Sequence, residues 1–377
     1  MPKNNWIFDS VGRNITNKVL SMNIIQGRTK YLDTYSGGSL TFTINNSSNF
    51  ASTIDYQSPI VLKSEVYNSE FYEWFWVREI TFQDYPGNTG LNTATIVCSD
   101  WVNRSGQINA NAKAIAAATT SYGFYIFGDG YGGPLPASMK VAIITSSTQC
   151  SATTYTGSVL NYYNYLVNTE RGYLVSRIDT LYPISRDAMQ SYTPGSVTLG
   201  RTTSTTQIAY NSFERIQNGV QYINTATTNP AGLTAQTATN TASVGSYGQS
   251  FYSSSTVDAT ETQALGNAQW ISNNFNDPYS LRFTCTFDDV SQNATALTAF
   301  MQQIFGGVNR TINFKYQVPG GSETTVACVI EGYSINATPE STQYVLNLSP
   351  LQYYQFFTLN STTLGILDTS RLAWEFN

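Results

Sequence analysis

The 377-residue chain contains no histidine. This absence excludes histidine-based catalytic triads, histidine-ligated zinc and the HExxH pattern of metalloproteases. A GxxxxGK[ST] phosphate loop is also missing. The Gly-rich run at 128–133 does not join a strand to a helix with GxGxxG spacing, which predicts a loop. We therefore predict no catalytic, cofactor-binding or metal-binding residues, no cofactor, and a protein that is not an enzyme.

Charge is also scarce. Charged residues make up 11% of the chain and the net charge is −5, whereas soluble domains usually carry roughly 25% charged residues. The sequence has no basic run, so we expect no stable binding to nucleic acid. No stretch approaches the roughly 18 apolar residues of a membrane span. Residues 1–6 lack the apolar core of a signal peptide, and we expect the protein to be made in the cytoplasm.

The cysteines are too widely spaced for a CxxC or zinc pattern. Three of them fall inside strand-like runs. Because free cysteine is among the most often buried residue types, we expect four small buried thiols: Cys98, Cys150, Cys285 and Cys328.

Uncharged polar and aromatic residues take the place of charge. Aromatic residues are 14% of the chain, and rings that can be buried argue against a disordered composition. Threonine, tyrosine, phenylalanine and isoleucine favour pleated, half-buried surfaces. The composition therefore predicts a mainly β fold.

Three strand units near the C-terminus have counterparts, in the same order, near the N-terminus. Short hairpins resemble one another by composition, but a shared order of three units favours duplication over chance. We interpret the pattern as two copies of one small β-domain separated by a long insertion. The later units are 280–287, 310–318 and the hairpin 325–335 with 343–349, and the earlier ones are 39–44, 59–63 and the hairpin 76–82 with 93–99.

This duplication gives a domain organisation of four parts. Within the insertion, an Ala-rich run at 109–119 and apolar spacing at 159–168 predict helices, and a hairpin follows at 173–185. A later helix is predicted from a capping signal at Ser255 and Asp258, and another at 293–305. The parts are 1–103, the first β-domain; 104–206, an α+β insertion; 207–350, the second β-domain, discontinuous, with loop 224–254 and helix 255–275; and 351–377, a C-terminal tail segment.

Two kinds of residue cluster leave a binding or catalytic role open. Paired carboxylates can hydrolyse glycosides, but each pair here lies at a turn or strand end, where solvated carboxylates are ordinary. Aromatic runs can stack on sugars, but more often they form a strand core or a subunit interface, which we favour. The carboxylate candidates are Asp288 with Asp289, Glu65 with Glu70, and Glu331 with Glu340, and the aromatic runs are 71–76 and 353–357.

Five stretches resemble the minor tail proteins of long-tailed bacteriophages related to the baseplate hub, or tail hub, family. One departure is Gln249, where the family often has a basic residue after Tyr-Gly. The stretches are 15–28 with its Gly27-Arg28 turn, 170–175, 215–220, the Ser, Tyr-Gly, helix and Pro series of 243–278, and 364–372.

The resemblance implies two related small β-barrels per chain, similar to the domains of a tail tube. Three chains would form a homotrimeric, pseudo-sixfold ring that ends the tail tube, with the insertion outside the ring. The ring would contact tail tube and distal tail proteins on one side and tip or fibre proteins on the other, with DNA passing transiently through its lumen. The expected location is the tip of the virion tail.

Two alternatives remain open. The first alternative to the hub is a carbohydrate-binding or glycan-degrading tail protein. The second is a distal tail ring protein. Binding or cleavage of host glycans distinguishes the first alternative from the hub. Oligomeric mass distinguishes the second, since a hub is a trimer and a distal tail ring a hexamer.

Overall fold

The protein is mainly β, as the composition predicts, and its largest sheet joins 14 strands. The computed structural model describes residues 6–10, 12–35, 37–64, 72–128, 133–136, 138–142, 146, 148–185, 188–189, 192–217, 222–277, 281–306 and 310–354.

The first strand group is antiparallel and runs in the order β3-β4-β7-β6-β5-β1-β2. In β4, Leu40, Phe42 and Ile44 alternate with polar residues and are buried on one face, because successive side chains of a strand point to opposite faces. The strands are β1 (Trp6–Ser10), β2 (Arg13–Asn14), β3 (Val19–Gly27), β4 (Ser39–Asn45), β5 (Pro59–Ser64), β6 (Tyr72–Gln83) and β7 (Thr93–Ser99).

The insertion contains short strands around one long helix, Val159–Glu170. The predicted helix and hairpin are confirmed here, but the helix predicted at 109–119 is wrong. Asn111 and Ala112 adopt positive φ, which interrupts a right-handed helix, and the run then forms β8 and β9. The strands are β8 (Lys113–Ile115), β9 (Ala118–Thr119), β10 (Lys140–Val141), β11 (Gln149–Cys150), β12 (Thr153–Tyr155), β13 (Tyr173–Arg177) and β14 (Thr180–Ile184).

The segment predicted as loop 224–254 is more ordered than expected. It contributes three strands to a separate sheet in the order β19-β18-β20, with the helix Thr241–Tyr247 between two of them. Its last strand extends past Ser255, so the next helix begins at Glu261 rather than at 255. The strands that follow the insertion are β15 (Thr198–Gly200), β16 (Gln207–Ala209), β17 (Ser212–Gln217), β18 (Thr225–Pro230), β19 (Gln236–Thr239) and β20 (Phe251–Thr256).

The second strand group repeats the pairing order of the first. Its strands run β17-β21-β24-β23-β22, and the first group runs β3-β4-β7-β6-β5, with antiparallel pairing throughout both series. The equivalent pairings β6–β7 and β23–β24 each have a register shift, at Arg78 in β6 and at Glu331 in β23, and β3 has a further one between Val19 and Ser21. The predicted pair of related β-units is therefore confirmed. The remaining strands are β21 (Leu281–Asp288), β22 (Thr311–Gln317), β23 (Glu323–Ala337) and β24 (Thr342–Pro350).

The two groups are joined by the pairing of β3, the edge strand of the first group, with the second half of β23, which β22 leaves uncovered. Within the described ranges neither group closes on itself as a barrel. Strands β15 and β16 extend the second group by parallel pairing beside β22.

The α-helices with described bounds are short, and in each the capping side chain accepts from a backbone N–H of the first turn. The longest, Glu261–Asn274, has 14 residues. No helix in the described part of the chain combines the length and apolar character needed to cross a bilayer. The helices not yet given are Trp101–Ser105, Thr120–Tyr125 and Ala294–Met301, which continues as the π-helix Gln302–Gly306, and the 3-10 turns are Thr16–Lys18, Phe50–Thr53, Thr89–Leu91 and Leu351–Tyr353.

The buried apolar side chains form two hydrophobic cores. The first lies under the two strand groups, and the second joins the insertion to residues 222–277. The Ser151 amide donates to the Val257 carbonyl at 3.1 Å, and Asn168 Nδ2 donates to the Ser255 carbonyl at 3.0 Å. Residues 222–277 therefore pack with the insertion, whereas β15 pairs with the second strand group. The domain boundaries at 103/104, 206/207 and 350/351 stay predictions.

All four cysteines are buried free thiols, as predicted. Burial raises the pKa of Cys150 to about 12 and that of the other three further. A protonated thiol is a poor nucleophile, so these residues act as small apolar side chains.

Candidate functional site

A buried polar site lies at the junction between the two strand groups. Strand β3 runs antiparallel to the second half of β23, with Gly27 opposite Gly332 at one end and Met22 opposite Ala337 at the other. Asn23 Nδ2 donates to Asn336 Oδ1 at 2.5 Å. The junction thus continues one hydrogen-bonded sheet from the first group to the second.

Two glycines allow the backbones to approach closely at one end of this pairing. Gly27 has φ +85°, and a Cβ on it would collide with the Glu331 carbonyl oxygen. A Cβ on Gly332 would lie 2.6 Å from the Arg28 carbonyl oxygen. Glycine is the residue that accepts both positive φ and this approach.

A buried ion pair lies directly beside the glycines. Arg28 Nε is 2.8 Å from Glu331 Oε2, and their side chains are 3% and 0% exposed. Tyr354 completes the cluster, since its hydroxyl accepts from Arg28 at 2.9 Å and donates to Glu331 Oε1 at 2.5 Å. Burial raises the pKa of Tyr354 well above its ordinary value, so the hydroxyl stays protonated and remains a donor.

Arg28 also connects the junction to the second core. Its guanidinium lies 4.8 Å from the centroid of the Tyr35 ring and 5.3 Å from that of Tyr31. The Tyr35 amide donates to Asn164 Oδ1 of the insertion helix at 3.0 Å. Tyr31 stacks on Phe275, just after the helix Glu261–Asn274, with centroids 5.2 Å apart. One arginine therefore contacts elements of both strand groups and of the second core.

The candidate carboxylates that are described differ in burial and in partners. Glu331 is buried against Arg28, while Glu340 is exposed in a turn. Asp288 accepts from Asn211 Nδ2 at 2.6 Å, and the buried Asp289 accepts from the Thr342 amide at 3.0 Å. Asp288, Asp289 and Glu331 therefore have structural hydrogen-bonding roles. Glu65 and Glu70 lie outside the described residues.

The described parts of the aromatic runs are core residues, which confirms the favoured interpretation for them. Phe75 and Trp76 are buried, and Trp74 makes an edge contact with Trp76. Tyr353 and Tyr354 are buried in the second core. Residue 71, the side chains of 72 and 73, and residues 355–357 lie outside the described residues.

Some of the other stretches singled out in the sequence also lie outside the described residues. Among those that are described, no group of three or more histidine, cysteine, aspartate or glutamate side chains is placed to bind a metal ion. Most of the Gly-rich run, 129–132, is not described, nor is 364–372, and the stretch 215–220 is described only as far as 217.

Sequence reasoning identified only half of the junction. It singled out Gly27 and Arg28 as a turn, but it considered Glu331 as a partner of Glu340 and Tyr354 as part of an aromatic run. Arg28 and Glu331 are separated by 303 positions along the chain, so no local spacing reveals the pair. The one available signal was Glu331, a charged residue next to an apolar run, because a charge that is buried needs a partner.

Comparison with known proteins agrees with the fold resemblance. No family model and no curated protein sequence matches this chain. Among solved structures, a tail protein from Neisseria meningitidis has a TM-score of 0.63 at 10% identity, covering 92% of this chain and 96% of its own. The 43 kDa tail protein of prophage MuSo2 from Shewanella oneidensis has a TM-score of 0.59 at 10% identity, covering 93% and 98%.

A third solved structure extends the likeness beyond phages. It is an Escherichia coli component of the type VI secretion system, described as structurally similar to the T4 bacteriophage tail proteins gp27 and gp5. Its TM-score is 0.52 at 8% identity, covering 91% of this chain and 76% of its own. The chain therefore has the fold of phage tail proteins.

Proposed function

We propose that this chain is a non-enzymatic structural protein of a phage tail and that it forms a homotrimeric ring at the tail tip. The ring ends the tail tube, connects it to tip or fibre proteins and lets DNA pass through its lumen. The observation that carries the proposal is the repeated strand order within a chain whose fold matches tail proteins over more than nine-tenths of its length.

The duplication supports the symmetry of this ring. Two related strand groups per chain give six related groups in a trimer. Such a ring presents nearly sixfold symmetry to a hexameric tube, although its three chains are related by threefold symmetry. Closed cyclic symmetry is the usual form of soluble assemblies. The likeness to a secretion-system component similar to T4 tail proteins supports a position next to a tube.

The charge of the chain supports passage rather than retention of DNA. The net charge is −5 and the sequence has no basic run. Stable binding to DNA comes mainly from lysine and arginine contacts with phosphates. A ring of this composition therefore lets DNA leave without holding it.

Native mass spectrometry of the purified full-length chain tests the proposal. The expected species contains three copies of the 41.5 kDa chain, about 125 kDa in total. A dominant hexamer overturns the hub in favour of a distal tail ring, and a chain that stays monomeric at tens of micromolar overturns the ring itself.

A further inference from the structure

We infer that the free edge of β17 in one copy pairs antiparallel with residues 80–83 of β6 in the next copy. This contact repeats, between chains, the pairing of β3 with β23 within one chain. The inference rests on the proposed ring and assigns the strands that close it.

The correspondence between the two strand groups follows from their register shifts. Aligning Arg78 with Glu331 places Phe82 at the position of Ile335. From there the pairing is followed through β7 and β4 to β3 in the first group, and through β24 and β21 to β17 in the second. These two paths place Arg215 of β17 at the position of Ile24 of β3. Because Ile24 lies opposite Ile335 inside the chain, Arg215 is expected opposite Phe82 between chains.

Both edges are open in a single chain. Strand β6 pairs with β5 only up to Trp76 and then, among the described residues, only with β7 on its other side. In β23 the corresponding stretch is covered by β3. Strand β17 pairs with β21 alone in the part of the chain that the structure describes, whereas its counterpart β3 is covered on both sides. The two open edges therefore belong to the equivalents of β3 and the second half of β23, which pair with each other in the internal junction.

Exposure of side chains supports the same assignment. Phe82 is 43% exposed, while Ile335 at the equivalent position is 0% exposed. Arg215 is exposed, while Ile24 at the equivalent position is 1% exposed. A long, open strand edge carrying a large apolar side chain is a site for pairing with another chain. Pairing with a second copy covers Phe82 as β3 covers Ile335.

The side chains on the two edges are chemically complementary in the register derived above. Arg215 opposite Phe82 places a guanidinium beside an aromatic ring, a favourable pair. Asp84, the first residue after β6 and two residues beyond Phe82, lies diagonal to Arg215 within reach of a long side chain. Gln83 falls opposite Glu214, at the positions of Asn336 and Asn23 inside the chain, and the Gln83 amide is a donor for the Glu214 carboxylate. No like charges face each other directly.

The chemistry points to a further copy of this chain and to a ring. The two edges are different surfaces, so each copy uses one edge toward one neighbour and the other edge toward the second. Such head-to-tail contacts generate rings when the rotation closes. A symmetric dimer, which pairs one surface with itself, does not use both edges.

Engineered disulfides in the full-length chain test the pairing. Thr81 is expected opposite Ile216 between copies, so T81C/I216C should give covalent dimers and trimers on a non-reducing gel after mild oxidation. The matched control is I25C/S334C, because Ile25 lies opposite Ser334 in the internal junction and its disulfide should add no mass. The single variants T81C and I216C should give no covalent trimer, and the four native thiols are buried.

A charge swap supplies an independent readout. F82K places a lysine opposite Arg215 and should shift the native mass from trimer toward monomer. F82K/R215E should restore the trimer, with far-ultraviolet circular dichroism showing that both variants stay folded.

The outcomes separate the edge assignment from the proposed function. A native trimer in which T81C/I216C gives no covalent oligomer, or in which F82K has no effect, overturns the edge assignment and leaves the ring intact. A wild-type monomer overturns both. A hexamer that cross-links through T81C/I216C supports the edge assignment and overturns the trimeric hub.

Discussion

Gly27 lies directly opposite Gly332 where the two strand groups meet, and neither position has room for a side chain. The two residues belong to different copies of the repeated unit. Their contact lets β3 follow the register shift at Glu331 without leaving the sheet. The close approach of these backbones therefore sets the geometry of the internal junction.

Replacing Gly27 with alanine should destabilise the protein strongly. The variant meets two penalties, a left-handed backbone conformation, worth about 1–2 kcal/mol for a residue with a Cβ, and a collision with the Glu331 carbonyl. We expect the free energy of unfolding from urea titration, at fixed protein concentration, to fall by more than about 3 kcal/mol.

Gly87 provides a matched control for this substitution. It has the same φ of +85°, but a Cβ there would meet nothing within 4 Å. Gly87→Ala should therefore show only the conformational penalty of about 1–2 kcal/mol. Equal losses for the two variants would show that the close approach contributes nothing.

Removing one member of the buried ion pair should destabilise the junction. Arg28→Met leaves Glu331 charged, buried and without its cation, which typically costs about 3–5 kcal/mol. The double variant R28M/E331L removes both charges and should recover part of that loss. Urea titrations of the two single variants and the double variant give the coupling free energy.

The exposed pair Lys30–Asp33 is the control for this cycle. Its atoms are 3.9 Å apart and its side chains are 34% and 35% exposed, so Lys30→Met should cost less than about 1 kcal/mol. Purely additive losses for Arg28 and Glu331 would contradict the coupling that the geometry implies.

Periodicity was enough to predict the repeated strands. In β4 and β21 the apolar residues alternate with threonine, and this pattern is visible in the sequence because each strand has one buried face. The helix Val159–Glu170 was also predictable, since its apolar residues share a face and Arg171 ends it in a left-handed conformation.

Long-range pairing was not predictable from the same patterns. The pairing of β3 with β23 joins residues more than 300 positions apart, and no local spacing encodes it. Strand β20 shows a second limit, because its residues read as a polar loop until they pair with β18. Tertiary contacts outweigh weak local propensity there.

The start of the helix Glu261–Asn274 can be tested directly. The Thr260 hydroxyl accepts from the Gln263 amide at 3.1 Å, so Thr260→Ala should lower the free energy of unfolding by about 1 kcal/mol. Ser255→Ala, at the cap expected from the sequence, should have a smaller effect because Ser255 lies in β20. Thermal unfolding of both variants measures the difference, and a larger loss for Ser255→Ala would contradict this helix start.

Asp100 should make the stability depend on pH. It caps the helix Trp101–Ser105 by accepting from the Asn103 amide at 2.7 Å. Burial raises its pKa to about 6, although the bonds from Asn103 and Gly38 and the charge of Arg310 oppose the shift. Because the folded state then holds the proton more tightly than the unfolded chain, this contribution to stability is complete below about pH 4 and is lost as the pH rises through 6.

Asp100→Asn keeps a cap oxygen but does not titrate. Relative to wild type, its free energy of unfolding should rise between pH 4 and pH 8 by up to about 3 kcal/mol, the equivalent of the shift in pKa. Asp100→Ser also caps a helix without titrating and should show the same pH trend, which separates the loss of charge from any change in the cap. Urea titrations at several pH values measure the difference, and a constant difference across this range would show that Asp100 titrates in the folded protein as it does in the unfolded chain.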